Sequence, residues 1–156
     1  MRFLLDTGIL LGIVRDASWS QFMTAKFKPE QTPNMAFISV VSKGEINSLA
    51  IQLGWGNEKR ARLKEILSKL PSVGIEHDQI LEKYAEIDTY SKGKNPMRPL
   101  PEGQSARRME KNDLWIAATA SALNASLITV DKDFDHLKGI FLDIFWIDQN
   151  LKLEDA

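Results

Sequence analysis

Four carboxylates in this chain stand at or beside the boundaries of apolar runs. Asp6 closes Phe3-Leu4-Leu5, and Glu45 follows Ile38-Ser39-Val40-Val41-Ser42-Lys43-Gly44. Asp113 opens Leu114-Trp115-Ile116-Ala117-Ala118, and Asp131 closes Leu127-Ile128-Thr129-Val130, with Asp133 two residues further on. Runs of this kind become buried strands or helices, so the acids sit where such elements surface. Lying side by side, the runs would bring Asp6, Glu45, Asp113 and Asp131 together. Two unit charges about 4 Å apart repel by about 4 kcal/mol at an effective dielectric of about 20. Acids gathered in this way call for a cation.

Carboxylate and water ligands suit hard ions such as Mg²⁺ or Mn²⁺. Zinc prefers nitrogen and sulfur, and this chain offers no cysteine and only His77 and His136, at no spacing that suggests a shared site. An ion held by carboxylates serves phosphate chemistry: it binds a phosphoryl oxygen, lowers the pKa of a bound water and stabilises the leaving oxygen. No protein nucleophile is then required. The chain has no Gly-rich loop ending in Lys-Ser/Thr, which disfavours nucleotide hydrolysis of that kind. Asp131-Lys132-Asp133 has Asp-x-Asp spacing but comes too late for an aspartyl-phosphate enzyme, which would want the pair after the first strand. Asp6-Thr7-Gly8 is not such a pair.

The elements that must position these acids follow from periodicity. Residues 2–5 read as a short buried strand, after which Thr7 can cap a helix through Ile9, Leu10, Ile13 and Val14. A second helix is expected around 18–26, ended by Pro29 and Pro33. Residues 36–41 read as a β-branched strand. Ser42 can then start a helix with Glu45 in a Ser-x-x-Glu capping box, a structural use that competes with any site role. Residues 57–70 form an amphipathic helix whose Leu63, Ile66, Leu67 and Leu70 make either a core face or a groove for a partner helix. A strand through Val73 and Ile75 and a helix from Asp78 come next. Lys92 to Gly103 is loop. Asn112 is expected to cap a helix reaching about Leu123. Residues 126–130 are expected as a strand, 131–137 as a turn or short helix, and 141–147 as a last strand. Strands alternating with helices imply a parallel sheet covered on both faces, with ligands beyond the carboxyl ends of the strands.

At 156 residues, 44% apolar and 26% charged, the chain suits one globular domain, drawn here as 1–150 with a tail over 151–156. No apolar run is long enough to span a membrane. Asp6 cuts the first apolar run too short for a secretory signal. The absence of cysteine excludes disulfides and thiolate chemistry and is compatible with a cytoplasmic location. A net charge of −1 gives no global attraction to nucleic acid. Any such attraction must be local. Lys92, Lys94, Arg98, Arg107, Arg108 and Lys111 form either a solvated loop or a phosphate-contacting rim beside Asp113.

The order Leu4-Leu5-Asp6-Thr7, Ile38 to Glu45, Asp113-Leu114-Trp115-Ile116-Ala117-Ala118-Thr119-Ala120 and Leu127 to Phe134 resembles the PIN-domain family. Among its members it looks most like the VapC-type ribonuclease toxins of toxin–antitoxin modules. The likeness runs from about residue 2 to residue 147. It implies a three-layer α/β/α sandwich around a mainly parallel sheet and Mg²⁺- or Mn²⁺-dependent endonucleolytic cleavage of RNA. Asp6, Glu45 and Asp113 match the family's three characteristic acids, and Asp131 matches a more variable fourth, for which Asp133 is a rival. Thr7 and Thr129 match small hydroxyl residues beside the acids. The resemblance also implies a homodimer and a small antitoxin that occludes the site. The stretch from Lys92 to Lys111 is longer than in the shortest members.

Two other functions compete. A non-catalytic module would keep the fold and only bind RNA, metal or a partner, but it has little reason to retain four mutually repelling acids. A phosphorylatable receiver domain expects two acids after the first strand and a Lys after the fifth, and this chain lacks that pattern. His136 is expected in an exposed turn, and Trp115 in core or rim packing.

Overall fold

The computed structural model describes residues 1–156. Its centre is a five-stranded sheet, all parallel, in the order β3-β2-β1-β4-β5. The strands are β1 (Arg2–Leu5), β2 (Met35–Ser39), β3 (Ser72–Val73), β4 (Ser126–Thr129) and β5 (Ile144–Trp146). The helices are α1 (Thr7–Val14), α2 (Ser18–Phe27), α3 (Val40–Gln52), α4 (Asn57–Lys69), α5 (Asp78–Ser91) and α6 (Lys111–Ala122). A 3₁₀ helix spans Lys132–Leu137, and another, Leu153–Asp155, packs against α2.

Alternation along the short strands separates the two cores. Phe3 and Leu5 point to one face, where they meet Ile9, Leu10, Met23, Ile46 and Leu63 of α1 to α4. Leu4 and Leu127 point to the other, against Ile87 and Tyr90 of α5 and Leu114 and Ile116 of α6. The period of two that sorts these side chains is that of a pleated strand. Helices on both faces complete the expected three-layer α/β/α sandwich. On α4, Leu63 and Leu70 are buried, and Ile66 and Leu67 pack on the same cluster, so this face belongs to the core.

The chain runs outward from β1 to β2 and β3, then crosses back to lay β4 on the other side of β1. The strand order therefore switches direction between β1 and β4. In open parallel sheets, this is where a crevice opens beyond the carboxyl ends of the strands.

Several element boundaries differ from expectation, each for a local reason. The second strand ends at Ser39, whose hydroxyl accepts from Val41 N–H at 3.1 Å and caps α3. Val40 and Val41 are thus helical, Ser42 is buried inside the helix, and the Ser42–Glu45 capping box does not form. Asp6, not Thr7, caps α1, its carboxylate accepting from Thr7 N–H at 2.8 Å. Glu110 stands at the cap of α6, which leaves Asn112 within the first turn and without a capping role. The third strand stops at Val73, the fourth at Thr129, and the last covers only 144–146. β-branched residues have high strand propensity but are tolerated in helices, and a hydroxyl one turn earlier captured the cap.

Candidate active site

Every acid singled out above reaches the carboxyl rim of the sheet. Asp6 leaves β1 at the strand switch, and its N–H donates to Ile128 O across the junction at 3.0 Å. Its carboxylate is only 6% exposed. One oxygen accepts from Thr7 N–H, and the other accepts from Thr129 Oγ1 at 2.6 Å. Thr129 is itself fully buried, and its Oγ1 accepts from Asp131 N–H at 3.0 Å. One hydroxyl thus ties the acid after β1 to the acid after β4. Thr7 does the same towards α3, donating its hydroxyl to Glu45 Oε1 at 2.7 Å. Both threonines predicted beside the acids therefore hold them in place.

Gly8 allows this closeness. A Cβ there would lie 2.7 Å from Val130 Cγ2, so any side chain would push the start of α1 away from the end of β4.

Asp113 projects from the first turn of α6, and Asp131 caps the 3₁₀ helix by accepting from Asp133 N–H at 2.8 Å. One oxygen each from Asp113, Asp131 and Asp133 lie within 4.8 Å of one another. Asp133, the rival for the fourth position, thus faces the site together with Asp131. Asp6 and Glu45 stand behind this trio, each with an oxygen already engaged by a hydroxyl.

None of the ion pairs in the molecule reaches these acids. Burial pushes Asp6 up to about 6. The Thr129 and Thr7 hydrogen bonds oppose the shift, while Glu45 and Asp131 add to it. Burial also lifts Asp113, to about 7, reinforced by the charges of Asp6, Asp131, Glu45 and Asp133. Asp113 thus feels the charges of the other four carboxylates. An all-oxygen donor set, negative and short of positive partners, fits a hard divalent cation better than zinc.

The basic stretch divides. Lys92 pairs with Asp88 at 2.9 Å. The Arg98 guanidinium lies 5.0 Å from the Phe141 ring centroid and donates to Ile140 O at 3.3 Å. Phe141 precedes β5, at the end of the sheet away from the acids, so Arg98 leaves the expected rim, while Lys92 is claimed by Asp88. Lys94, Arg107, Arg108 and Lys111 remain exposed, with Lys111 opening α6 two residues before Asp113.

His136 is not an exposed turn residue. It is half-buried, its Nε2 is 2.8 Å from Ser91 Oγ, and its ring stacks on Tyr90 at 6.5 Å with a 4° interplanar angle. Burial and then Arg107 push it down to about 4, against the Asp133 carbonyl and Asp135. The fold closes a helical turn over α5 and brings His136 to Ser91, 45 residues away, a contact that no local pattern announces. Trp115 packs as expected, 4.2 Å from Tyr84 between ring centroids.

The chain is thus a parallel α/β sandwich with carboxylates gathered at its strand switch. The PIN domain model matches residues 3–140, and the chain belongs to the PIN domain family. No curated protein matches the sequence. Among solved structures, the chain is similar to VapBC2 from Rickettsia felis bound to a DNA fragment from its promoter. That match has a TM-score of 0.74 and 21% identity, covering 95% of this chain and 100% of the other. It is also similar to VapBC-1 from nontypeable Haemophilus influenzae, with a TM-score of 0.67 and 21% identity over 94% and 98% of the two chains. A third likeness is to FitAcB from Neisseria gonorrhoeae, with a TM-score of 0.65 and 20% identity over 92% and 96%. At these identities the likeness establishes the fold.

Proposed function

We propose that this protein is a metal-dependent endoribonuclease, the VapC-type toxin of a type II toxin–antitoxin pair. One observation carries the reading. Carboxylates from four separate segments converge at the strand switch of a PIN domain, with no basic side chain to neutralise them, and two are held well above the usual carboxylate range.

Asp6, Glu45, Asp113 and Asp131 would hold Mg²⁺ or Mn²⁺, with Asp133 as a further ligand from the same turn. Such an ion, when bound, supplies Lewis acidity toward a phosphodiester and acidity to a bound water. The chain's own residues prepare for it. Thr129 Oγ1 and Thr7 N–H engage the two oxygens of Asp6, and the Thr7 hydroxyl engages one oxygen of Glu45, so both acids are fixed beside the basin. The burial of Asp6 excludes water from behind the site, which strengthens every electrostatic interaction within it. Glu45 and Asn112 also border an open depression of about 550 Å³ between α3 and the start of α6.

Two further solved neighbours are described as belonging to toxin–antitoxin systems, which supports a separate antitoxin chain as partner; a homodimer is the working form in this proposal. No helix is long and apolar enough to cross a membrane.

The test is cleavage of RNA with Mg²⁺ added, comparing the parent with Asp6→Asn. Loss of cleavage with retained folding supports the assignment. Equal cleavage by the variant sinks it, and a parent that binds Mn²⁺ yet cuts no RNA points to a non-catalytic module.

A further inference from the structure

Trp146 stands out among the four tryptophans. Trp19 and Trp55 are buried and Trp115 packs against Tyr84 in a tilted pair, but Trp146 is 39% exposed. It closes β5, the edge strand, in register with Thr129, the residue whose hydroxyl binds Asp6. Its indole does not swing freely. Nε1–H donates to Val130 O at 3.0 Å, and Val130 lies between Thr129 and Asp131. Lys132, between Asp131 and Asp133, lays its ammonium 4.3 Å from the centroid of the same ring. An immobilised aromatic plane with a cation on it therefore borders the acid basin.

Each part suits one kind of ligand. Nucleobases stack on aromatic side chains irrespective of sequence, because every base has a π-face. A lysine beside the ring offers a phosphate the positive charge that the acids deny it. Only a splayed base can stack in this way, so the ligand is a single strand. The exposed cations of the 92–111 stretch enter from the α6 side, and Lys132 lies on the β5 side. A strand crossing the basin would thus meet positive charge on both banks.

The geometry points to Trp146 and Lys132 as a base-stacking subsite for single-stranded RNA next to the scissile phosphate, an inference that rests on the nuclease reading above. The ring receives a base, and the lysine moves from the ring to the adjoining phosphate. Trp146 binds substrate and takes no part in bond cleavage.

The test uses the full chain and short labelled oligoribonucleotides followed by fluorescence polarisation, in an Asp113→Asn background that prevents cutting. Trp146→Ala should weaken binding by roughly tenfold or more, the scale of one lost base–aromatic stack. Trp146→Phe, which keeps an aromatic face, should recover most of the loss. An abasic strand should bind parent and variant alike. In the wild-type background with Mg²⁺, Trp146→Ala should raise KM by a similar factor and leave kcat within about twofold, the signature of lost ground-state binding. Circular dichroism checks that each variant folds. The inference is overturned by unchanged binding in Trp146→Ala, by an equal loss on the abasic strand, or by a Trp146→Phe variant as weak as Trp146→Ala. A parent that binds single strands through Trp146 but cuts nothing keeps the subsite and overturns the nuclease. A parent that binds no RNA overturns both.

Discussion

Two half-hidden groups of titratable residues share the Lys132–Leu137 turn, and burial drives them in opposite directions. At its start, Asp131 and Asp133 join Asp6, Glu45 and Asp113, and burial raises Asp6 and Asp113 toward neutrality. Near its end, His136 is buried against Ser91 and Tyr90, and burial lowers it, also toward neutrality. The cause is the same in both, since an apolar surround penalises whichever form is charged. The consequences differ. His136 pairs its Nε2 with Ser91 Oγ and stacks on Tyr90, while its Nδ1 is buried without a partner. The carboxylates keep like charges as neighbours and remain short of a cation. Only one of the two clusters gathers like charges with no ion pair to offset them.

The largest effect should come from removing that demand. Asp113→Asn should lower RNA cleavage more than about a hundredfold, beyond the ~10–100-fold typical of residues that merely orient a ligand. It should also raise the melting temperature of the metal-free chain at pH 8 by a few degrees, because a repelling charge is gone. Calorimetry showing a variant less stable than the parent would mean that the basin is not strained.

Next in size is the response to metal. At a hundred times its Kd, Mn²⁺ should stabilise the parent by about 2.7 kcal/mol and Asp113→Asn much less. Affinity measured by titration calorimetry should rise with pH up to about 7, as Asp113 gives up its proton. A flat pH profile would place the ion elsewhere.

Thr129→Val tests the strut between the two strand ends. It keeps the shape, removes the 2.6 Å bond to Asp6 and should cost roughly 10–100-fold in cleavage. Cleavage at the parental rate would show that Asp6 needs no such support.

The smallest effects concern stability and pH, and here the clusters should part in sign. The folded, metal-free chain holds protons on Asp6 and Asp113 up to about 6 and about 7, whereas the unfolded chain releases them near 3.8. Their contribution therefore falls as pH rises through that window. For His136 the unfolded chain takes a proton below 6.5 and the folded chain only below about 4, so stability falls as pH drops between those values. Melting temperatures of the parent, Asp113→Asn and His136→Gln from pH 4 to pH 8 should give difference curves of opposite slope. Ser91→Ala should cost about 1–3 kcal/mol through the unpaired Nε2 and change cleavage less than tenfold. Curves of one slope would erase the contrast between the clusters.

Much of this was legible in the residues. Phe3-Leu4-Leu5 and Leu127-Ile128-Thr129 announce buried strands because a parallel sheet covered on both faces needs unbroken apolar runs. Asp6 and Asp131 mark the strand ends. Where two local rules competed, only packing chose between them. Ser39 and Ser42 both offered a capping hydroxyl, and the pairing of Ile38 and Ser39 with Ser72 and Val73 ended the strand at the first. Arg98 and Lys92 read as part of a basic rim, yet Phe141 and Asp88 claim them.

The sequence by itself determined the fold class, the four principal acids and their order, since periodicity and strand-end position are properties of neighbours along the chain. The tertiary structure alone decided that Asp133 turns in beside Asp113 and Asp131, that Thr129 bridges two acids, that His136 is buried on Ser91, and that Trp146 stays open beside them. Those outcomes depend on distance through space and on exclusion of water, which arise only when separate segments, up to 123 residues apart for Asp6 and Thr129, are laid against one another.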